Sequence, residues 1–129
     1  MSKQTLELMN ETFTIHSFDP STPIPNEVYQ ASIFFIAKTY DELSIVCPDS
    51  FKLQSDECET GWAALEVLGP LGFSLTGILS NISGVLANEK ISIFAISTFD
   101  TDYILVKQDD ITSAVSSLRK SGYRVTNVP

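Results

Sequence analysis

Two short stretches hold residues that could handle a small molecule carrying both charges. Ser74-Leu75-Thr76-Gly77-Ile78 sets small and polar residues just ahead of an apolar helical stripe. A helix start exposes unsatisfied N–H groups and positive partial charge, and glycine there lets a carboxylate approach the backbone. Ser97-Thr98-Phe99-Asp100-Thr101-Asp102 gathers hydroxyls and carboxylates at a hairpin, a set able to accept an ammonium group. Together these are the minimum equipment for a free amino acid. Each stretch also has a plain structural reading. Ser74 or Thr76 caps the helix while Gly72 and Gly77 serve the turn, and Asp100 and Asp102 are ordinary turn residues.

The elements that must position them come from an internal repeat. SIFFIAKTYDELSIVCPDSF, residues 32–51, is similar to SIFAISTFDTDYILVKQDDI, residues 92–111, and Thr39-Tyr40-Asp41 answers Thr98-Phe99-Asp100. Each copy reads as two apolar runs around a polar turn, the signal of a β-hairpin, with strands over 31–38 and 43–47 and over 91–98 and 102–107. Another strand precedes each hairpin, over 5–17 and 62–68.

In the second copy, the connection from Gly77 to Asn88 carries Ile78, Ile82, Val85 and Leu86 at helical spacing. After the hairpin, Asp109 and Asp110 are placed to cap a helix with Ile111, Ala114, Val115 and Leu118 on one stripe. Arg119 and Lys120 suit its C-terminus, Gly122 stops it, and a strand over 123–126 closes the unit. The order is β-α-β-β-α-β, an α+β ferredoxin-like unit, in which the hairpin end can come near the start of the first helix. The first copy is degenerate, because Pro20, Pro23 and Pro25 exclude a long helix and residues 49–61 read as a loop or a turn of helix. The expected division is a degenerate N-terminal unit over 1–61 and a complete unit over 62–129. ISIFAI and SIFFIA are apolar on both strand faces, so packing between the half-domains and a homodimer are expected to cover them.

Composition excludes several functions. Sixteen acids against eight bases give a formal net charge of −8, which opposes attraction to nucleic acid or an anionic membrane surface. No apolar run reaches the roughly 18 residues of a membrane span, and the N-terminus lacks a signal-like apolar region, so a cytoplasmic place is expected. Cys47 and Cys58 are then expected to stay reduced. With one histidine, His16 in an alternating strand, and no Cys-x-x-Cys pair, no metal or cofactor is expected. No nucleophile and base are set to meet, so an enzyme is not expected either.

Gly69-Pro70-Leu71-Gly72-Phe73, Gly77-Ile78-Leu79 and Ile96-Ser97-Thr98-Phe99-Asp100-Thr101-Asp102-Tyr103-Ile104-Leu105-Val106 resemble the ACT domain family, most closely the subgroup of the cytosolic arginine sensors and short bacterial proteins. The resemblance implies a regulatory module binding a small amino acid between ACT units, acting allosterically, with no enzyme activity. It implies a wall made of Gly72, Phe73, Gly77, Ile78, Leu79, Thr98, Phe99 and Asp102, with Asn81 and Ile82 contributed by the helix of a facing unit. One departure concerns Leu75, where arginine-sensing relatives have an acid, so the resemblance implies an amino acid and leaves its side chain open. The alternative is a structural or protein-interaction module that keeps the fold without the ligand.

Overall fold

Both hairpins of the repeat form, and they turn in the same way. In the computed structural model, which describes residues 3–68 and 77–129, the strands are β1 (Thr5–Phe18), β2 (Phe35–Lys38), β3 (Leu43–Pro48), β4 (Glu57–Val67), β5 (Ile93–Ser97), β6 (Asp102–Lys107) and β7 (Arg124–Thr126). The helices are α1 (Ile78–Asn88) and α2 (Ile111–Lys120). At the β2–β3 turn, the Thr39 N–H donates to the Glu42 carbonyl at 2.9 Å and the Thr39 hydroxyl accepts from the Glu42 N–H at 3.2 Å. At the β5–β6 turn, Thr98 and Thr101 repeat the arrangement at 2.8 and 3.2 Å. An aromatic residue stands at each tip, Tyr40 and Phe99, both exposed. The recurring threonine is the physical meaning of the sequence repeat: it closes a short turn that the backbone alone would close once.

The chain groups into two compact units, Met1–Asn10 with Ala63–Pro129, and Glu11–Trp62. This differs from a cut at residue 61 in two respects, since the first ten residues go with the C-terminal part and Trp62 goes with the other unit. β1 and β4 each contribute residues to both units.

The discontinuous unit has the order β4-α1-β5-β6-α2-β7, as expected for a βαββαβ fold. Its strand order is β7-β1-β4-β6-β5, with β7 pairing in parallel to β1 through Thr5↔Arg124, Leu6↔Val125 and Glu7↔Thr126. A strand from the start of the chain thus stands between β7 and β4. Beneath the helices, Leu6, Leu65, Val67, Ile104 and Val106 from the strands meet Ile82 and Leu86 of α1 and Ala114, Val115 and Leu118 of α2 in a common core. Each fully buried aliphatic side chain contributes about 1.5–3 kcal/mol, so the helical stripe read from the sequence is what holds α1 on the sheet.

Helix ends differ from expectation in instructive ways. Asp110 occupies the position before α2, but its backbone is already helical (φ −101°, ψ −1°) and its side chain makes no capping bond. Residues Gln108–Asp110 form a 3₁₀ turn that leads into the helix instead. Arg119 and Lys120 do stand in the last turn of α2, as expected, and Arg119 also donates through Nη2 to the Val125 carbonyl at 2.8 Å. Gly122, at φ +100°, does stop α2: its N–H bonds to the Arg119 carbonyl and the Tyr123 N–H bonds to that of Leu118.

In the Glu11–Trp62 unit, the proline-rich connection yields only a 3₁₀ turn, Asn26–Gln30, which inserts Val28 into a core of Phe18, Leu43, Ile45 and Cys47. The segment read as loop or helical turn over 49–61 is corrected in part, because β4 begins at Glu57 and is longer than the expected 62–68. Cys47 is buried and Cys58 exposed, and both are free thiols.

Candidate functional site

Hairpin register decides which way Asp102 faces. Cross-strand pairs share a face, and β5 pairs β6 through Ile93↔Val106, Ala95↔Ile104 and Ser97↔Asp102. Ile104 and Val106 enter the core beneath α1 and α2. Asp102 therefore lies on the helix-covered face, opposite Ser97 and half-buried. Among the described residues, no hydrogen bond or ion pair reaches its carboxylate.

The turn beside it is fastened to the strand that leads to α1. The Thr101 hydroxyl donates to the carbonyl of Val67, the last residue of β4. The hairpin tip thus stands at the end of β4 from which the chain departs toward α1. This threonine was not among the expected site residues, and no counterpart in the first copy marks it, since Glu42 holds the equivalent place.

The other half of the site is the start of α1. Gly77 precedes the helix in the left-handed region (φ +80°), a conformation that costs other residues about 1–2 kcal/mol. Its carbonyl accepts the Asn81 N–H at 2.8 Å, the first turn of the helix. A glycine at this position has no side chain with which to cap, and no acidic side chain stands in the first turn. Gly77 is exposed, Ile78 and Leu79 are half-buried against the core, and Asn81 is exposed.

Five further expected site residues remain to be placed, of which three lie among the described residues. Ile82 is fully buried in the core, so its side chain faces inward and does not reach a facing unit. The Thr98 hydroxyl is engaged within its own turn, donating to the Thr101 carbonyl at 3.1 Å. Phe99 is 82% exposed at the tip. Gly72 and Phe73, together with Ser74, Leu75 and Thr76, lie outside the described residues.

Charge around the turn is negative. Tyr103, the residue after Asp102, has its phenol pushed above the usual range by burial first, then by the Glu66 carboxylate to which it hydrogen-bonds and by Asp100. Carboxylates at the turn and the N-terminus of a helix carry opposite signs. Among the described residues, no three His, Cys, Asp or Glu side chains cluster as a metal site would need.

These features are those of an ACT module, and comparison with known proteins agrees. The sequence profile of the ACT domain matches residues 57–120, and a second profile, for an N-terminal domain, matches residues 11–51. The chain belongs to the ACT domain family.

The mouse protein named cytosolic arginine sensor for mTORC1 subunit 1 is 34% identical over 102 residues, 78% of this chain and 30% of that protein. The chain thus spans under a third of the length of this curated relative. A crystal structure of a protein from Agrobacterium tumefaciens superposes with a TM-score of 0.89 at 30% identity, covering 97% of this chain and 93% of that one. The regulatory subunit of aspartate kinase from Thermus thermophilus, in its ligand-free form, shares the fold with a TM-score of 0.66 at 10% identity, covering 93% and 99% of the two chains.

Proposed function

We propose that the chain is a regulatory protein that binds one small free amino acid, with its α-carboxylate at the N–H groups that open α1 and its ammonium group, or a basic side chain, at Asp102. The observation that carries the reading is the half-buried Asp102 carboxylate, without a partner among the described residues, on the face that α1 covers. The fold and the sensor relative support a regulatory role. A ligand regulates only by binding one state better than another, so binding at the edge of a unit is read as a shift in oligomer state or partner contacts. In this reading, residues 1–61 hold a reduced ACT-like unit and residues 62–129 the ligand-binding one.

The chain is proposed to work as a homodimer. β5 is the edge strand of its sheet, and its Phe94 and Ile96 side chains are half-exposed with no charge between them. Light scattering at tens of micromolar should give twice the chain mass, and a monomer mass with and without amino acids contradicts it.

The function is tested by a thermal-shift screen against the twenty amino acids. A specific ligand at a hundred times its Kd stabilises by about 2.7 kcal/mol, a rise in Tm of several degrees. Asp102→Ala should abolish that rise while the ligand-free Tm stays within a degree or so, because the carboxylate holds no group among the described residues. Lost ligand-free stability with an unchanged ligand response would make Asp102 a structural residue.

A further inference from the structure

The chain has a single histidine, and it is buried. His16 sits in β1 within the Glu11–Trp62 unit, paired with Ile45 of β3 and 3% exposed. Its Nδ1 lies 2.8 Å from the Ser55 hydroxyl. Its Nε2 is buried with no hydrogen-bond partner among the described residues. An orphaned ring nitrogen is tolerable as a bare lone pair, in the tautomer whose Nδ1–H donates to Ser55. It is costly as an N–H, and more so on a cation.

The carboxylate that acts on the ring, that of Asp49, does not offer an escape. Asp49 accepts the Thr12 hydroxyl at Oδ2 (2.6 Å) and the Thr14 hydroxyl and Gly61 N–H at Oδ1 (2.5 and 3.4 Å), so its oxygens are already engaged. Of the other titratable groups in the unit, Lys52 acts on Asp49, Glu27 on the 3₁₀ turn acts on Cys47 of β3, Asp56 follows Ser55 and accepts the Asp19 N–H, and Glu57 and Glu59 stand exposed on β4.

We propose that His16 makes this unit responsive to acidification: protonation keeps the Nδ1–H bond to Ser55 but puts an unpaired cationic N–H at the buried Nε2, and so favours states in which the segment 49–56 opens and water reaches the ring. The segment is also held to β1 by the Thr12 and Thr14 hydroxyls on Asp49 at one end and by two backbone bonds, the Asp49 N–H to the Thr12 carbonyl at 2.9 Å and the Asp56 N–H to the Ser17 carbonyl at 3.0 Å. Burial lowers the affinity of His16 for a proton, and the opposing attraction of Asp49 does not cancel it. The folded state therefore binds this proton less readily than the unfolded chain, whose histidine titrates near 6.5. The stabilisation is complete above about pH 6.5 and is lost as pH falls from there toward the folded value.

NMR tests this on the intact chain, since one imidazole gives one titrating signal. Its midpoint should fall below about 6.5. Between pH 7.5 and 5.5, the exchange protection of the Asp49 and Asp56 amides should fall about five- to tenfold. In His16→Gln, whose amide can bond to Ser55 but does not titrate, protection of those amides should stay level. A midpoint at or above 6.5, or an equal loss of protection in both proteins, overturns the proposal. If the glutamine variant does not fold, the midpoint in the natural chain decides.

Discussion

Asp49 and Asp102 are acids in the same chain with opposite employment. Asp49 gathers two threonine hydroxyls and a backbone N–H, and although burial raises its pKa, these bonds and Lys52 together hold it below the usual carboxylate range. Its role is structural, because Thr14 is 3% exposed and has nowhere else to send its hydroxyl. Asp49→Ala should cost about 1–3 kcal/mol in urea unfolding, the penalty for leaving a buried hydroxyl unpaired. An unchanged midpoint would show that water or another side chain takes its place. Asp102, by contrast, reads in the sequence alone as an ordinary turn residue, and its proposed part in a site comes from the resemblance to ACT domains. The role of Asp49 was not legible there, because its partners lie 35 and 37 residues away in the chain.

Among elements, those built on local pattern were readable and those built on long-range pairing were not. α1 and α2 follow their apolar stripes, and both hairpins follow apolar runs around a turn. β4 reaches back to Glu57 through an exposed acidic stretch that carries no strand pattern, since pairing with β1 rather than burial makes it extended. The helix ends show the same split. α2 stops at Gly122, as its sequence advertises, whereas α1 ends in the same bonding pattern with Lys90 in the left-handed position at φ +60°. The Lys90 N–H bonds to the Ala87 carbonyl at 2.9 Å and the Ile91 N–H to that of Leu86 at 3.0 Å. A lysine there carries a cost that glycine does not, so Lys90→Gly should stabilise the protein by about 1 kcal/mol. Urea titration showing no gain, or a loss, would mean that the Lys90 side chain contributes more than its backbone costs.

At the scale of the molecule, the chain's ends are stitched together. β7 pairs with β1, and the Asn127 side chain donates to the Leu8 carbonyl at 2.6 Å and to the Asn10 side chain at 2.9 Å. A contact across more than a hundred residues leaves no periodic trace, which is why the sequence alone groups residues 1–10 with those that follow, whereas by compactness they go with Ala63–Pro129. The consequence for function is that the unit holding α1 and Asp102 is assembled from both ends of the chain. Its proposed site draws on two of its elements, the start of α1 and the β5–β6 turn, which Thr101 ties to the end of β4. The most direct test of this account is an amide NMR titration of the intact chain with free amino acids at millimolar concentration. The account predicts that one of them shifts the signals of Gly77, Ile78, Leu79 and Asp102 together while residues 11–62 stay in place. No response at these amides to any amino acid, or a response confined to residues 11–62, would contradict it.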